Sequence, residues 1–149
     1  MAKETIKNLE EALMLSPDNI PLRLHLATIL LEEEMYKEAA TQFSDVLSRS
    51  YGNIRARLGL ALVYFYQHKY SAALVIYEEL NHQLSGEDTL IYIKCLIKEN
   101  SLNQAMEIYQ RLLITDPAYA DPEIDQYLRL PGNGHPMLEE FRDEDDFFG

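Results

Sequence analysis

The side chains best suited to chemistry are few and scattered. There are four histidines, His25, His68, His82 and His135, and one cysteine, Cys95. A helical zinc site needs two ligands at i and i+4 on one face. No two of these histidines have that spacing, and no Cys or His lies near Cys95 in sequence. Cys95 sits in an apolar helical run, the setting of an inert packing thiol rather than of an activated thiolate. The acids at 143–146 lack the glycine and the ligand spacing of a calcium loop. No GxxxxGK[ST] loop is present, and Gly132-Asn133-Gly134 reads as a helix breaker rather than a phosphate cradle. The expectation is no enzyme: no catalytic residue, no metal site and no cofactor.

The bulk composition narrows the partners. The 149 residues hold 13 basic and 25 acidic side chains, a net charge of −12. That balance argues against nucleic acid and against an anionic membrane. The acidity is uneven: residues 121–149 carry nine acids and two bases, against sixteen and eleven over 1–120. The hydrophobic content of 47% is ample for a core. A single cysteine permits no internal disulfide, which fits a reducing compartment, and the expected location is cytoplasmic. The N-terminus MAKETIKNLEEALML has charges throughout and does not read as a signal peptide. No run approaches the ~18 apolar residues of a membrane span.

The elements that position these residues are organised around Ile54–Ser85. This stretch reads as two helices meeting at a tight turn near His68-Lys69. Leu60, Ala61 and Tyr64 share one helix face, and Ala73, Tyr77 and Leu80 share another, at the spacings that stack on a 3.6-residue period. The small Ala61 and Ala73 allow close backbone approach. One such pair has too little core to stand alone, so similar neighbours are required.

The neighbours are present. Leu26-Ala27, Leu30, Tyr36, Ala39, Phe43 and Val46 match Leu60-Ala61, Tyr64, Tyr70, Ala73, Tyr77 and Leu80 at a constant offset of 34 residues. Tyr92-Ile93, Leu96, Leu102, Ala105, Tyr109, Leu112 and Pro117 continue the pattern at an offset of 32. Over roughly residues 1–119 this resembles the tetratricopeptide repeat (TPR) family, with its Leu-Gly pair and Tyr on the first helix, its Ala and aromatic on the second, and a closing Pro. There are departures. No Trp occurs, and Arg23, Arg57 and Thr89 stand where the first large residue would be. Tyr51 and Ser85 replace the closing Pro in two repeats. Ile93 replaces a small residue, which should loosen the third repeat.

The resemblance implies an all-α fold, a right-handed α-solenoid of about three TPR helix-turn-helix repeats with helical caps. The solenoid spans 1–131: a partial repeat over 1–19, repeats over 20–53, 54–85 and 86–119, and a cap helix over 121–130. In the partial repeat, residues 2–16 form an amphipathic helix with Ile6, Leu9, Ala12 and Leu13 on one side. Pro21 suits the first turn of the next helix, Glu32-Glu33-Glu34 reads as a solvated rim, and Gly52 offers a left-handed cap. Asp88 and Asp121 are candidate N-caps. Ile124, Tyr127 and Leu128 would cover the third repeat. Composition over 132–149 predicts a flexible acidic tail, in which Phe141, Phe147 and Phe148 stand out.

First helices of TPR arrays line a concave, peptide-holding groove. The resemblance places Leu24, Thr28 and Leu31 there from the first repeat, with Pro21 and Glu32. The second gives Arg55, Leu58, Leu62, Phe65 and Tyr66. The third gives Leu90, Lys94 and Lys98, with Glu87 and Ile97. A TPR subclass clamps the carboxylate of chaperone tails with Lys, Asn and Arg. The matching residues here are Leu24, His25 and Thr28, then Leu58, Gly59 and Leu62, then Leu90, Ile91 and Lys94. Only Lys94 fits, so that ligand is not expected.

The groove is instead apolar and aromatic, with scattered positive charge from Arg55, Lys94 and Lys98. The function read from it is a protein–protein interaction module or scaffold that binds a peptide or helix segment with hydrophobic anchors. Two rivals stand beside it. One is an N-terminal adaptor or targeting domain of a larger enzyme such as an ATPase. The other is a homo-oligomer formed through the third repeat or the cap helix. A tighter superhelix, with no ligand, would also account for the apolar stripe.

Overall fold

The computed structural model describes residues 1–132, and among these only helices and turns occur. They are α1 (Ala2–Leu15), α2 (Ile20–Glu32), α3 (Tyr36–Arg49), α4 (Ile54–Tyr66), α5 (Tyr70–Glu79), α6 (Gly86–Lys98), α7 (Leu102–Thr115), a 3-10 turn (Pro117–Tyr119) and α8 (Pro122–Gly132). Of the tail expected over 132–149, Gly132 closes α8 and the remainder lies outside the described residues. The fold is the all-α solenoid type, built from consecutive helical hairpins. None of these helices is long and apolar enough to cross a membrane.

The described helices group into two compact units, Met1–Glu79 and the helices from Leu80 onward. The division falls inside the expected repeat 54–85, because α5 ends at Glu79 and Asn81–Ser85 leave the helix.

In the first unit each helix packs on the next, from α1 through α5, and α2 also meets α4. Leu13, Leu24, Leu26, Ala27, Leu30, Ala39, Phe43, Val46, Ala56 and Val63 form one continuous core. Ile6 and Leu9 of α1 lie against it, so the N-terminal helix closes that end of the core. In the second unit α6 packs on α7, and the 3-10 turn touches both.

The three inner turns are one structure made three times. In the first, the Met35 amide donates to Leu30 O and the Glu34 amide to Leu31 O. The Lys69 and His68 amides donate to Tyr64 O and Phe65 O, and those of Ser101 and Asn100 to Leu96 O and Ile97 O. This is the Schellman closure, which satisfies carbonyls that a helix end leaves bare. Its left-handed residue is Glu34 (φ 61), His68 (φ 62) and Asn100 (φ 66) in turn. No glycine serves there, although glycine would adopt that backbone without cost. Gly52, read from the sequence as a left-handed cap, is not left-handed, and α3 ends at Ser50 with ordinary negative φ.

The outer turns use side-chain caps. Asn19, Asn53 and Ser85 accept from the amides of Leu22, Ala56 and Asp88, opening α2, α4 and α6. Ser85, not Asp88, is therefore the cap of α6, and Asp88 accepts a bond from the Ser85 hydroxyl in return. Such reciprocal pairing uses the third helical residue to brace the cap. Asp121 accepts from the amides of Glu123 and Ile124 and opens α8. Pro131 falls in the last turn of α8, which runs two residues past Leu130.

The first large residue of each repeat has been replaced differently. Arg23 is buried and donates to Gln42 (2.9 Å), Asp45 (3.2 Å) and Pro17 O (2.8 Å), tying the α1–α2 turn to α3. Arg57, at the matching place, pairs with Glu79. A guanidinium thus does with hydrogen bonds what a large apolar side chain would do by packing. Ile93, expected to loosen the third repeat, is fully buried, as is Cys95.

Candidate functional site

The apolar residues of α4 divide by spacing. Ala56, Ala61 and Val63 are fully buried. Leu58, Leu62 and Phe65, at i, i+4 and i+7, are only half-buried, and Tyr66 is 46% exposed. Leu60 and Tyr64 are half-buried too, so Tyr64 is less of a core residue than its spacing suggests. The Lys69 ammonium lies 5.9 Å above the Tyr64 ring.

The end of α4 carries an aromatic cluster drawn from two inner turns. Tyr66 stacks on Tyr36 with ring centroids 5.7 Å apart and planes 9° from parallel. Phe65 meets Tyr66 edge-on at 5.3 Å and Tyr70 at 6.0 Å. Tyr70 bonds His68 Nδ1 at 2.6 Å. The Tyr36 phenol is pushed above its ordinary value by desolvation and by the carboxylate of Glu34, with which it shares a long hydrogen bond of 3.5 Å. Rings held by one another have little conformational freedom left. The periodicity of the sequence marked Tyr36 and Tyr70 as packing residues, but it gave no sign that the two turns meet through Tyr36 and Tyr66.

The α2 residues contribute less to an open surface. Leu24 is 5% exposed and belongs to the core, which corrects its place among the groove residues. Leu31 is half-buried against the same core. Thr28 spends its hydroxyl on Leu24 O at 2.9 Å. Pro21, Glu32 and Arg55 are exposed.

In the second unit Leu90, Lys94 and Lys98 are half-buried on α6, Glu87 is exposed and Ile97 is buried. The Lys94 ammonium is 3.8 Å from Asp121 Oδ2. Its charge is thus shared with the acid that caps α8, and it is not a lone positive charge. Asp121 is held in turn by Tyr109, whose hydroxyl accepts from the Asp121 amide at 2.9 Å and donates to Asp125 at 2.7 Å. Burial pushes the Tyr109 phenol up to about 12.

The residues suited to chemistry are not brought together. Cys95 is buried, and desolvation raises its thiol to about 12, far from a reactive thiolate. Among the described residues no three His, Cys, Asp or Glu side chains form a group able to hold a metal.

With this geometry established, comparisons with known proteins identify the fold. Residues 1–47 match a tetratricopeptide repeat family model. The crystal structure of YrrB, described as a TPR protein with an unusual peptide-binding site, superposes with a TM-score of 0.74 at 21% identity. That match covers 99% of this chain and 78% of the other. No curated protein matches the sequence. Residues 1–47 are thus similar to a tetratricopeptide repeat, and the chain shares the fold of a TPR protein.

Proposed function

We propose that this protein is a non-enzymatic interaction module that binds a peptide or helix segment of another polypeptide, with hydrophobic anchors seated on α4. The observation that carries the reading is the partly exposed stripe of Leu58, Leu62 and Phe65, continued by the exposed, stacked Tyr66. Burying one Leu or Phe side chain fully is worth ~1.5–3 kcal/mol. Three anchors with at most about a third of their surface still exposed supply up to ~1.5–3 kcal/mol, before the cost of ordering a peptide. Micromolar binding needs ~8 kcal/mol, so the Tyr36–Tyr66 platform and backbone contacts must contribute the rest. The family supports the same reading, as does the peptide-binding site ascribed to YrrB. Arg55, exposed in the first turn of α4, would meet an acid of the ligand. A cytoplasmic location and the absence of a catalytic role remain part of this proposal.

The test is Leu62→Glu. It puts a charge on the stripe at a half-buried position and should abolish peptide capture while leaving a folded helical protein. Loss of the helical fold in this variant would make the stripe core and remove the reading's main support.

A further inference from the structure

The third repeat breaks a charge pattern that the first two keep. In repeats one and two the first helix supplies an arginine and the second helix an acid: Arg23 with Asp45, and Arg57 with Glu79. At the same offsets the third repeat has Thr89 and Arg111. The long side chain is gone from the first helix, and the sign is inverted on the second. Where the guanidinium lies in the other repeats, the second unit has a cleft of about 390 Å³ between α6 and α7.

The walls of this cleft suit a carboxylate beside an apolar group. Arg111 and His82 line it and are both exposed. Neither forms an ion pair among the described residues. Tyr92, Leu112 and Tyr119 give the apolar side, and Tyr119 is pressed so close to Gly86 that no Cβ would fit there. One acid, Asp116, also lines the cleft, but its carboxylate is turned to the Ala118 amide at 3.0 Å. Among the described residues Arg55 and Arg111 are the arginines without an acid partner, and Arg111 lines this cleft. A single planar guanidinium matches one carboxylate in a two-point fork.

We infer that the α6–α7 cleft is a second binding site, which takes an acidic side chain and a neighbouring aromatic residue from a segment of another polypeptide. The incoming carboxylate supplies the acid that the third repeat lacks. The site is separate from the α4 stripe and does not depend on it.

The test is an NMR titration of the full chain with the peptide acetyl-Glu-Glu-Phe-Glu-Glu-amide. The expected result is chemical-shift change at Thr89, Tyr92 and the Arg111 guanidinium. Arg111→Gln should weaken binding about tenfold or more, as loss of a charged hydrogen bond does, and Arg111→Lys should weaken it less. The peptide acetyl-Gln-Gln-Phe-Gln-Gln-amide should bind far more weakly. Leu62→Glu should leave the titration unchanged, so this result stands or falls apart from the α4 reading. Three results would overturn the inference. One is equal binding by the Arg111→Gln chain. Another is the same shifts from inorganic phosphate at equal concentration, which would make the cleft a general anion site. The third is movement of the Arg111 signal, with no peptide added, when Glu139, Glu140, Asp143, Glu144, Asp145 and Asp146 are changed to their amides. The occupant would then be the chain's own acidic segment.

Discussion

Gly59 lies in the middle of α4, where glycine ordinarily weakens a helix by ~1 kcal/mol relative to alanine. On propensity alone Gly59→Ala should stabilise the protein. The packing says otherwise. A Cβ at Gly59 would lie 2.3 Å from Phe43 Cε1 and Cζ. Carbon atoms pack at about 3.5–4.0 Å, so the ring would have to retreat by more than about 1 Å. Phe43 is 3% exposed and forms part of the first unit's core, so it has no open space to enter. Overpacking of this kind costs ~1–3 kcal/mol. At the upper part of that range, expected here because both partners are on packed helices, the loss exceeds the propensity gain by ~1–2 kcal/mol. In a chain of this size the thermal midpoint should fall by about 2–8 °C. Thermal unfolding followed by circular dichroism is the assay. The double-mutant cycle with Phe43→Leu isolates the contact, since the alanine should then be neutral or stabilising. A higher midpoint for Gly59→Ala in the wild-type background would refute the argument.

Further outcomes follow from the same contacts. Glu34→Gly relieves a left-handed non-glycine backbone (φ 61) and should stabilise by ~0.5–1 kcal/mol, read as a raised midpoint. Tyr109→Phe removes the hydroxyl bonds to Asp121 and Asp125 and should cost ~1–2 kcal/mol, with faster amide exchange at the start of α8. Because burial raises the Tyr109 phenol to about 12 from its ordinary 10, the unfolded chain gives up this proton first. The stabilising contribution is therefore full below pH 10 and is lost as pH rises through about 12, and Tyr109→Phe should remove that part of the alkaline fall in a pH titration of stability. The buried Cys95 thiol should resist Ellman's reagent in the native protein and react fully in denaturant; rapid native labelling would contradict its burial.

The repeat register was legible because it rests on pairs that packing enforces. Ala27, Ala39, Ala61, Ala73 and Ala105 are all fully buried where helices approach, and Phe43, Tyr77 and Tyr109 fill the space beside them. What escaped the sequence depends on directions that spacing does not encode. Leu24 shares the spacing of the groove residues, yet it joins the core of the first unit. Ser85 takes the cap of α6 from Asp88, a choice between two capable oxygens three residues apart. The role of Gly59 depends on Phe43, a ring from another helix. The arginine–acid pairs were half visible: Arg23 and Arg57 stood out as substitutes for a large residue, but their partners Asp45 and Glu79 carry no local signal. Lys94 read as free positive charge because its partner Asp121 lies on a separate element.

The central claim is that the α4 stripe holds peptides, and a displayed library of random peptides tests it without knowledge of the natural partner. The full chain should enrich peptides with two or more aromatic or aliphatic residues at spaced positions, and Leu62→Glu, still helical by circular dichroism, should capture none of them. Enrichment that is identical for the wild-type and Leu62→Glu chains, or no enrichment by the wild type at all, would contradict the account.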